Sequence, residues 1–233
     1  MKLRIFVKNI YKAALITSYF ILANLKRILY SITGKNKDSY RIKTNYLIRK
    51  NNTHYNDTTK KDEHQDEVYK KMKDFFCENN FSSIIDIGCG SGYKLIKYFS
   101  MYDTLGLELP PALDFLKDKY PEKNWQYSDF RNRPKNKFDM AIAIDVIEHL
   151  KEPDDLLNFM KKLDCKFIGL STPDRSKMSF RSNIGPPINT SHVREWSKDE
   201  FEEYISNNFR IVISEVVDFQ DHYIIAESLK QRT

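Results

Sequence analysis

One stretch constrains this chain more than any other: Ile84-Ile85-Asp86-Ile87-Gly88-Cys89-Gly90-Ser91-Gly92. Ile84, Ile85 and Ile87 form a β-branched apolar run that reads as a short buried strand. Gly88, Gly90 and Gly92 then allow the backbone to bend sharply and lie against a ligand, because no Cβ intervenes. The following Tyr93–Phe99 has helical apolar spacing. Strand, glycine turn and helix together place a nucleotide-like ligand at a helix N-terminus. Asp86 stands just before the turn. Glu108 follows Gly88 by 20 residues, after a second apolar run, Thr104–Leu107. A carboxylate at that distance suits hydrogen bonds from ribose hydroxyls.

The rest of the chain alternates in the same way. Helix is predicted over 62–80, capped by Asp62, with Val68, Met72, Phe75 and Phe76 on its buried face. Strands are predicted near 83–87, 103–108, 124–127, 138–144 and 166–170. Helices are predicted at 92–99, 111–119 and 153–163 between them. Such alternation implies a parallel sheet with helices on both faces. From Ser171 to His192 the pattern stops, and this stretch reads as a lid beginning at the carboxyl end of a strand. A helix at 198–206 and an antiparallel pair of strands, 209–217 and 222–228, complete the pattern.

Charge is unevenly distributed. Residues 1–50 hold 12 Lys/Arg and one acid, a net of +11, leaving 26 basic against 31 acidic residues elsewhere, a net of −5. Residues 1–32 read as an amphipathic helix whose uncharged run, Ala13–Leu25, is 13 residues long. A bilayer-spanning helix needs roughly 20, and no small-residue cleavage site follows. Two readings stay open for this arm: an interfacial helix on anionic lipid, or a helix packed on the domain or in a dimer. Nucleic-acid binding ranks lower, since much of its surface is aliphatic. The three cysteines, Cys77, Cys89 and Cys165, have no metal or disulfide spacing, which fits a reducing, cytoplasmic compartment; of the two readings of the arm, the interfacial one adds a peripheral membrane location.

The spacing Asp86-x-Gly88-x-Gly90-x-Gly92 is neither a dinucleotide fingerprint nor a P-loop. It closely resembles motif I of the class I S-adenosylmethionine-dependent methyltransferases. Gly106-Leu-Glu108, Ser128-Asp129-Phe130 and Phe138–His149 extend the resemblance in the expected order, so that it covers about residues 62–228. The resemblance implies an α/β fold with a Rossmann-like seven-stranded sheet, order 3-2-1-4-5-7-6, strand 7 antiparallel. It implies a domain over 51–233, preceded by the basic arm and linker of 1–50. It implies S-adenosylmethionine as cofactor, with Glu108 on the ribose, Asp129 near the adenine amino group and Phe130 against the ring. Asp86, Gly88 and Gly90 belong to the turn at the methionine end, and Asp145 lies beside the sulfonium. Asp145-Val-Ile-Glu-His-Leu150 resembles the quinone-biosynthesis branch. Ser171-Thr-Pro-Asp-Arg175 and Gly185–Ser197 look like methyltransferases of bacterial and viral surface-glycan clusters.

Methyl transfer from a sulfonium is an in-line displacement that depends mostly on alignment. A sugar hydroxyl is a poor nucleophile at neutral pH, so a positioned base helps. His149, after strand 4, is the first candidate and His192 the second. His149 as a brace of the turn before Pro153 is the alternative. Arg175, Arg194 and Trp196 form a candidate substrate set, because guanidinium groups hold anions and an aromatic face stacks on sugar. No metal-ligand spacing is evident. The leading function is an O-methyltransferase of a glycan sugar, free, nucleotide-linked or lipid-linked. Methylation of a quinone or phenolic lipid-soluble acceptor is the second reading, and a non-catalytic cofactor-binding assembly module the third. Intact Asp86, Glu108 and Asp129 argue against the third. The acidic body, and the absence of an Asn/Asp-Pro-Pro-Tyr phrase after strand 4, argue against nucleic-acid methylation.

Overall fold

A computed structural model describes residues 40–44, 46–53, 58–61, 64–178 and 183–228. The chain divides into two compact units, Met1–Tyr46 and Leu47–Thr233. The helix expected over 1–32 and the cap expected at Asp62 lie outside the described residues. Among the described residues, no helix is long and apolar enough to cross a membrane.

The second unit is built on one seven-stranded sheet. In chain order its strands and helices are α1 (Asp66–Glu78), β1 (Ser83–Ile87), α2 (Tyr93–Phe99), β2 (Asp103–Glu108), α3 (Ala112–Lys119), β3 (Trp125–Tyr127) and β4 (Met140–Ile144). They continue with α4 (Pro153–Lys162), β5 (Phe167–Pro173), α5 (Lys198–Ser206), β6 (Phe209–Val217) and β7 (Asp221–Ser228). The sheet order is β3-β2-β1-β4-β5-β7-β6. β7 runs antiparallel to both β5 and β6, and the other pairings are parallel. This is the architecture expected from the sequence.

Local chemistry explains the elements. β4 is apolar and buried at every position, as a central strand covered on both faces must be. α4 starts on Pro153, with Asp154 and Asp155 in its first turn and Lys161 and Lys162 in its last, matching the helix dipole. α5 carries a reciprocal capping box between Ser197 and Glu200. α1 buries Val68, Tyr69, Met72, Phe75 and Phe76. Met72 packs so closely over β5 that a Cβ on Gly169 would lie 2.5 Å from its sulfur.

β5 is three residues longer at its carboxyl end than expected. Ser171, Thr172 and Pro173 have loop composition, yet they pair with Tyr223, His222 and Asp221 of β7. An antiparallel partner supplies the ladder, and the proline sits at the strand end, where a missing N–H costs least.

Candidate active site

A cavity of about 400 Å³ opens at the carboxyl ends of β1, β2 and β4. Ligands of open α/β sheets bind at that edge. Three lining residues, Gln65, Phe130 and Asp145, have positive φ values of 66°, 68° and 52°. Left-handed backbone at non-glycine positions stores strain, and three such residues fall in the cavity wall.

The glycine turn after β1 forms one wall. Gly88 has φ +73°, and a Cβ there would stand 2.7 Å from Val146 Cγ2. Only glycine keeps both that conformation and the space. The Gly88 N–H donates to Leu107 O at 2.8 Å, which ties the turn to β2. Glu108, at the end of β2, lines the cavity and braces the same turn. Its Oε1 accepts from the Gly90 N–H at 2.9 Å, and its Oε2 accepts from the Leu109 N–H at 2.7 Å. Asp129 and Phe130 form the wall after β3. Asp129 lies 3.3 Å from Arg131 Nε, and the Phe130 ring packs 5.6 Å from Phe159.

Asp86 sits deeper than the resemblance implies. It is fully buried and accepts the Tyr69 hydroxyl at 2.8 Å, while Tyr69 itself lines the cavity. Gly90 acts through its N–H on Glu108. The set still fits S-adenosylmethionine. A carboxylate ends β2, a second follows β3, and the turn after β1 leaves no room for a side chain at Gly88. Lys94, Gln65 and Tyr69 also line the cavity. No motif marks them, since each is an ordinary polar or aromatic residue on or beside a helix.

The wall after β4 is built by a single turn. Asp145 donates its N–H to Ser171 Oγ at 3.0 Å, and the Ser171 hydroxyl donates back to Asp145 Oδ1 at 2.5 Å. Burial pushes the Asp145 carboxyl above the ordinary carboxylate range, against the pull of hydrogen bonds from Ser171 and Gln65. The next turn, Ile147–His149, is a 3₁₀ helix. His149 Nδ1 lies 3.1 Å from Ser191 O. A carbonyl only accepts, so Nδ1 carries the proton and Nε2 keeps its lone pair.

His192 lies behind this wall, nearly buried, its ring edge-on to His149 at 4.7 Å and 88°. Its tautomer follows from its neighbours. Asn189 Oδ1 accepts the Ser191 N–H, so the Asn189 amide group donates to His192 Nε2 at 3.0 Å. His192 Nδ1 then donates to Glu195 Oε1 at 2.8 Å. Glu148 is fully buried between them, and burial pushes its carboxyl well above the usual range, with the charges of Asp145 and Glu195 adding to the shift. The Thr172 hydroxyl opposes that shift but lies outside hydrogen-bonding geometry.

Backbone hydrogen bonds bring these segments together. Val193 N–H donates to Glu148 O at 2.8 Å. The Asn52 side chain donates to both His149 O and Ser191 O, each at 3.0 Å. The strap around Asn52 runs along the 184–193 segment, with Arg49 N–H on Val193 O and Thr53 N–H on Thr190 O. Asn52 lies in a polar stretch without periodicity, so no pattern in the sequence marks it.

Arg175, Arg194 and Trp196 do not line the cavity. Arg175 is buried, pairs with Glu200 at 2.5 Å and donates to Glu195 O at 2.8 Å. Arg194 donates to Leu150 O and Lys151 O, at 2.8 and 2.7 Å. Trp196 is fully buried and stacks on Tyr204. Residues 191–196 are a buried run of turns and irregular backbone, joined to Asp174 by an isolated bridge at Trp196, and all three side chains take part in its packing.

Comparison with known proteins agrees with the geometry. Residues 61–210, 150 of the 233, match a sequence family described as a methyltransferase domain. The ubiquinone biosynthesis O-methyltransferases of two Rickettsia bellii strains, OSU 85-389 and RML369-C, are 24% identical over 172 residues. That alignment takes in 70% of this chain and 62% of the relative, so the chain spans about three fifths of these curated relatives. Among solved structures, the methyltransferase domain of a bacterial Hen1 is 20% identical with a TM-score of 0.53, covering 70% of this chain and 98% of that one. Magnesium protoporphyrin IX methyltransferase from Synechocystis PCC 6803, with bound S-adenosylmethionine, is 14% identical with a TM-score of 0.53, covering 71% and 80%. A methyltransferase from Clostridium acetobutylicum ATCC 824 is 16% identical with a TM-score of 0.54, covering 69% and 92%.

Proposed function

The chain belongs to the methyltransferase domain family, an S-adenosylmethionine-dependent fold, and from that premise we propose that it methylates a hydroxyl oxygen. The carrying observation is His149. Its Nδ1–H is held by Ser191 O, which leaves the Nε2 lone pair on a residue lining the cavity. An oxygen nucleophile must lose a proton during transfer, and an imidazole lone pair beside the acceptor serves that need.

When bound, S-adenosylmethionine supplies a methyl group already activated on a sulfonium. The chain's own residues then bind, orient and manage the proton. Glu108 offers its carboxylate to hydroxyl groups at the end of β2, and Asp129 and Phe130 receive the base. Asp145 faces the reacting end of the cavity. The Asn52 strap holds the His149 and Ser191 segments together, which fixes the imidazole direction. Alignment of this kind supplies much of the rate in a displacement that needs no covalent intermediate.

We assign the acceptor to the sugars of surface-glycan assembly, on the strength of the Ser171–Arg175 and Gly185–Ser197 phrases. A phenolic hydroxyl of a quinone precursor is the second reading, favoured by the Rickettsia bellii relatives. The basic arm of residues 1–50 belongs, in this proposal, against an anionic membrane surface, where a lipid-linked acceptor of either kind would be met. The test is release of S-adenosylhomocysteine by the full-length chain over a panel of sugar nucleotides and catechols, with product NMR to locate the methyl group. Transfer to nitrogen or sulfur, with no O-methyl product, would refute the hydroxyl assignment.

A further inference from the structure

Behind the acceptor wall, Glu148, His149 and His192 each offer one ligand atom, and these atoms all lie within 4.8 Å of one another. We propose that the three side chains bind one divalent transition-metal ion, whose open positions take a hydroxyl of the acceptor. The second half rests on the hydroxyl reading above; the first half does not.

Four observations carry the site. Both imidazoles have their Nδ1–H committed, His149 to the Ser191 carbonyl and His192 to the Glu195 carboxylate. Metal-bound histidines are characteristically oriented in this way, by a carbonyl or carboxylate on the far nitrogen. The Nε2 atoms are therefore the ones with lone pairs to give. Glu148 is fully buried, and neither of its carboxylate oxygens has a hydrogen-bond partner within bonding geometry among the described residues. A buried carboxyl so placed either keeps its proton or exchanges it for a cation, and the two imidazoles beside it make room for the second. Its Oε1 lies 4.0 Å from His192 Nε2.

Metal–ligand bonds of ~2.0–2.2 Å place neighbouring ligand atoms ~3.0–3.4 Å apart. Small side-chain rotations close the difference, and His192 Nε2 exchanges the Asn189 amide for the ion. The fourth observation is positional. Glu148 O accepts from Val193 N–H, and the Asn52 side chain clips His149 O to Ser191 O, so the two ligand-bearing segments are held in register. Two imidazoles and one carboxylate suit zinc, manganese, iron or cobalt better than calcium or magnesium, which prefer oxygen. His149 lines the cavity, so remaining positions open towards the acceptor; with the ion bound, His149 Nε2 is a ligand and not the base, and the hydroxyl, made more acidic by the ion, gives its proton to water.

The probe is cobalt(II), added to the full-length chain after dialysis against a chelator. The expected result is uptake of one ion with a visible d–d absorption band. His192→Ala and Glu148→Gln should each abolish the band, and Glu195→Gln should weaken uptake roughly 10–100-fold through the orientation of His192. Where Glu148→Gln fails to fold, His149→Gln gives the same reading. Calorimetry with S-adenosylhomocysteine runs in parallel, since cofactor binding does not need the ion. A chain that binds S-adenosylhomocysteine but takes up no cobalt overturns the site. So does uptake that survives the His192 and Glu148 substitutions. Catechol added to the cobalt form should shift the band; an unchanged spectrum overturns the hydroxyl-ligand half alone.

Discussion

Replacing Glu108 with alanine separates two tasks that one carboxylate performs. In the structure its two oxygens accept the Gly90 and Leu109 N–H groups at 2.9 and 2.7 Å, while the residue also lines the cavity. Hydrogen bonds to a charged acceptor are worth about 1.5–3 kcal/mol each when buried. Glu108 is half-buried and the exposed Leu109 N–H is able to turn to water, so the loss comes mainly from the buried Gly90 N–H, about 1–2 kcal/mol. For a chain of this size that lowers Tm by roughly 2–8 °C. Loss of the ribose contact acts on top, weakening S-adenosylhomocysteine by about 1.5–3 kcal/mol, or roughly 10–150-fold in Kd. Glu108→Gln should fall between, because a carboxamide oxygen accepts but its NH₂ faces one N–H donor to donor. Calorimetry gives the Kd and differential scanning calorimetry the Tm. A folded Glu108→Ala chain whose Kd stays within about twofold of the parent would refute the role of the β2 carboxylate.

Four further outcomes are expected. Gly88→Ala forces a Cβ to within 2.7 Å of Val146 at φ +73°, and should cost about 1–3 kcal/mol of stability together with most cofactor affinity; unchanged melting would show that the turn relaxes freely. Arg175→Ala leaves Glu200 without its buried partner and should cost about 3–5 kcal/mol, seen as a large fall in Tm, whereas a change confined to acceptor KM would return Arg175 to substrate binding. His149→Ala should reduce turnover far more than S-adenosylhomocysteine affinity, and equal loss in both would mean that it supports the cofactor instead. Burial lowers the His222 pKa from 6.5 to about 4. The unfolded chain therefore takes up a proton between those values that the folded chain refuses, and stability falls as pH drops through the window. Going from pH 7 to about pH 5, wild type should lose about 2 kcal/mol more than His222→Gln in chemical denaturation. Asp221, raised to about 7, loses stability in the opposite direction as pH rises, but it is common to both proteins and cancels in the difference. Parallel pH curves for the two would remove His222 as the cause.

The sequence by itself determined the strands, their alternation with helices and the cofactor edge, while the sheet order was implied only by the family resemblance. The first three are written in short-range patterns. The Ile84–Gly92 strand and turn, the 20-residue interval to Glu108 and the unbroken apolar run of β4 are local, and backbone periodicity converts them directly into elements. The acceptor side was settled only by tertiary structure. His149 and His192 are 43 residues apart, and no local pattern pairs them; the Val193 N–H bond to Glu148 O and the Asn52 clip make them neighbours. Nothing in the phrase Val-Ile-Glu-His marks Glu148 as interior, yet a 3₁₀ turn faces it inward. Arg175, Arg194 and Trp196 look like recognition residues in a polar loop. They are interior because Glu200, the carbonyls of Leu150, Lys151 and Glu195, and the Tyr204 ring are waiting for them. Composition states what a side chain can do; only the partner that packing brings to it decides whether that capacity points at a ligand or at the protein itself.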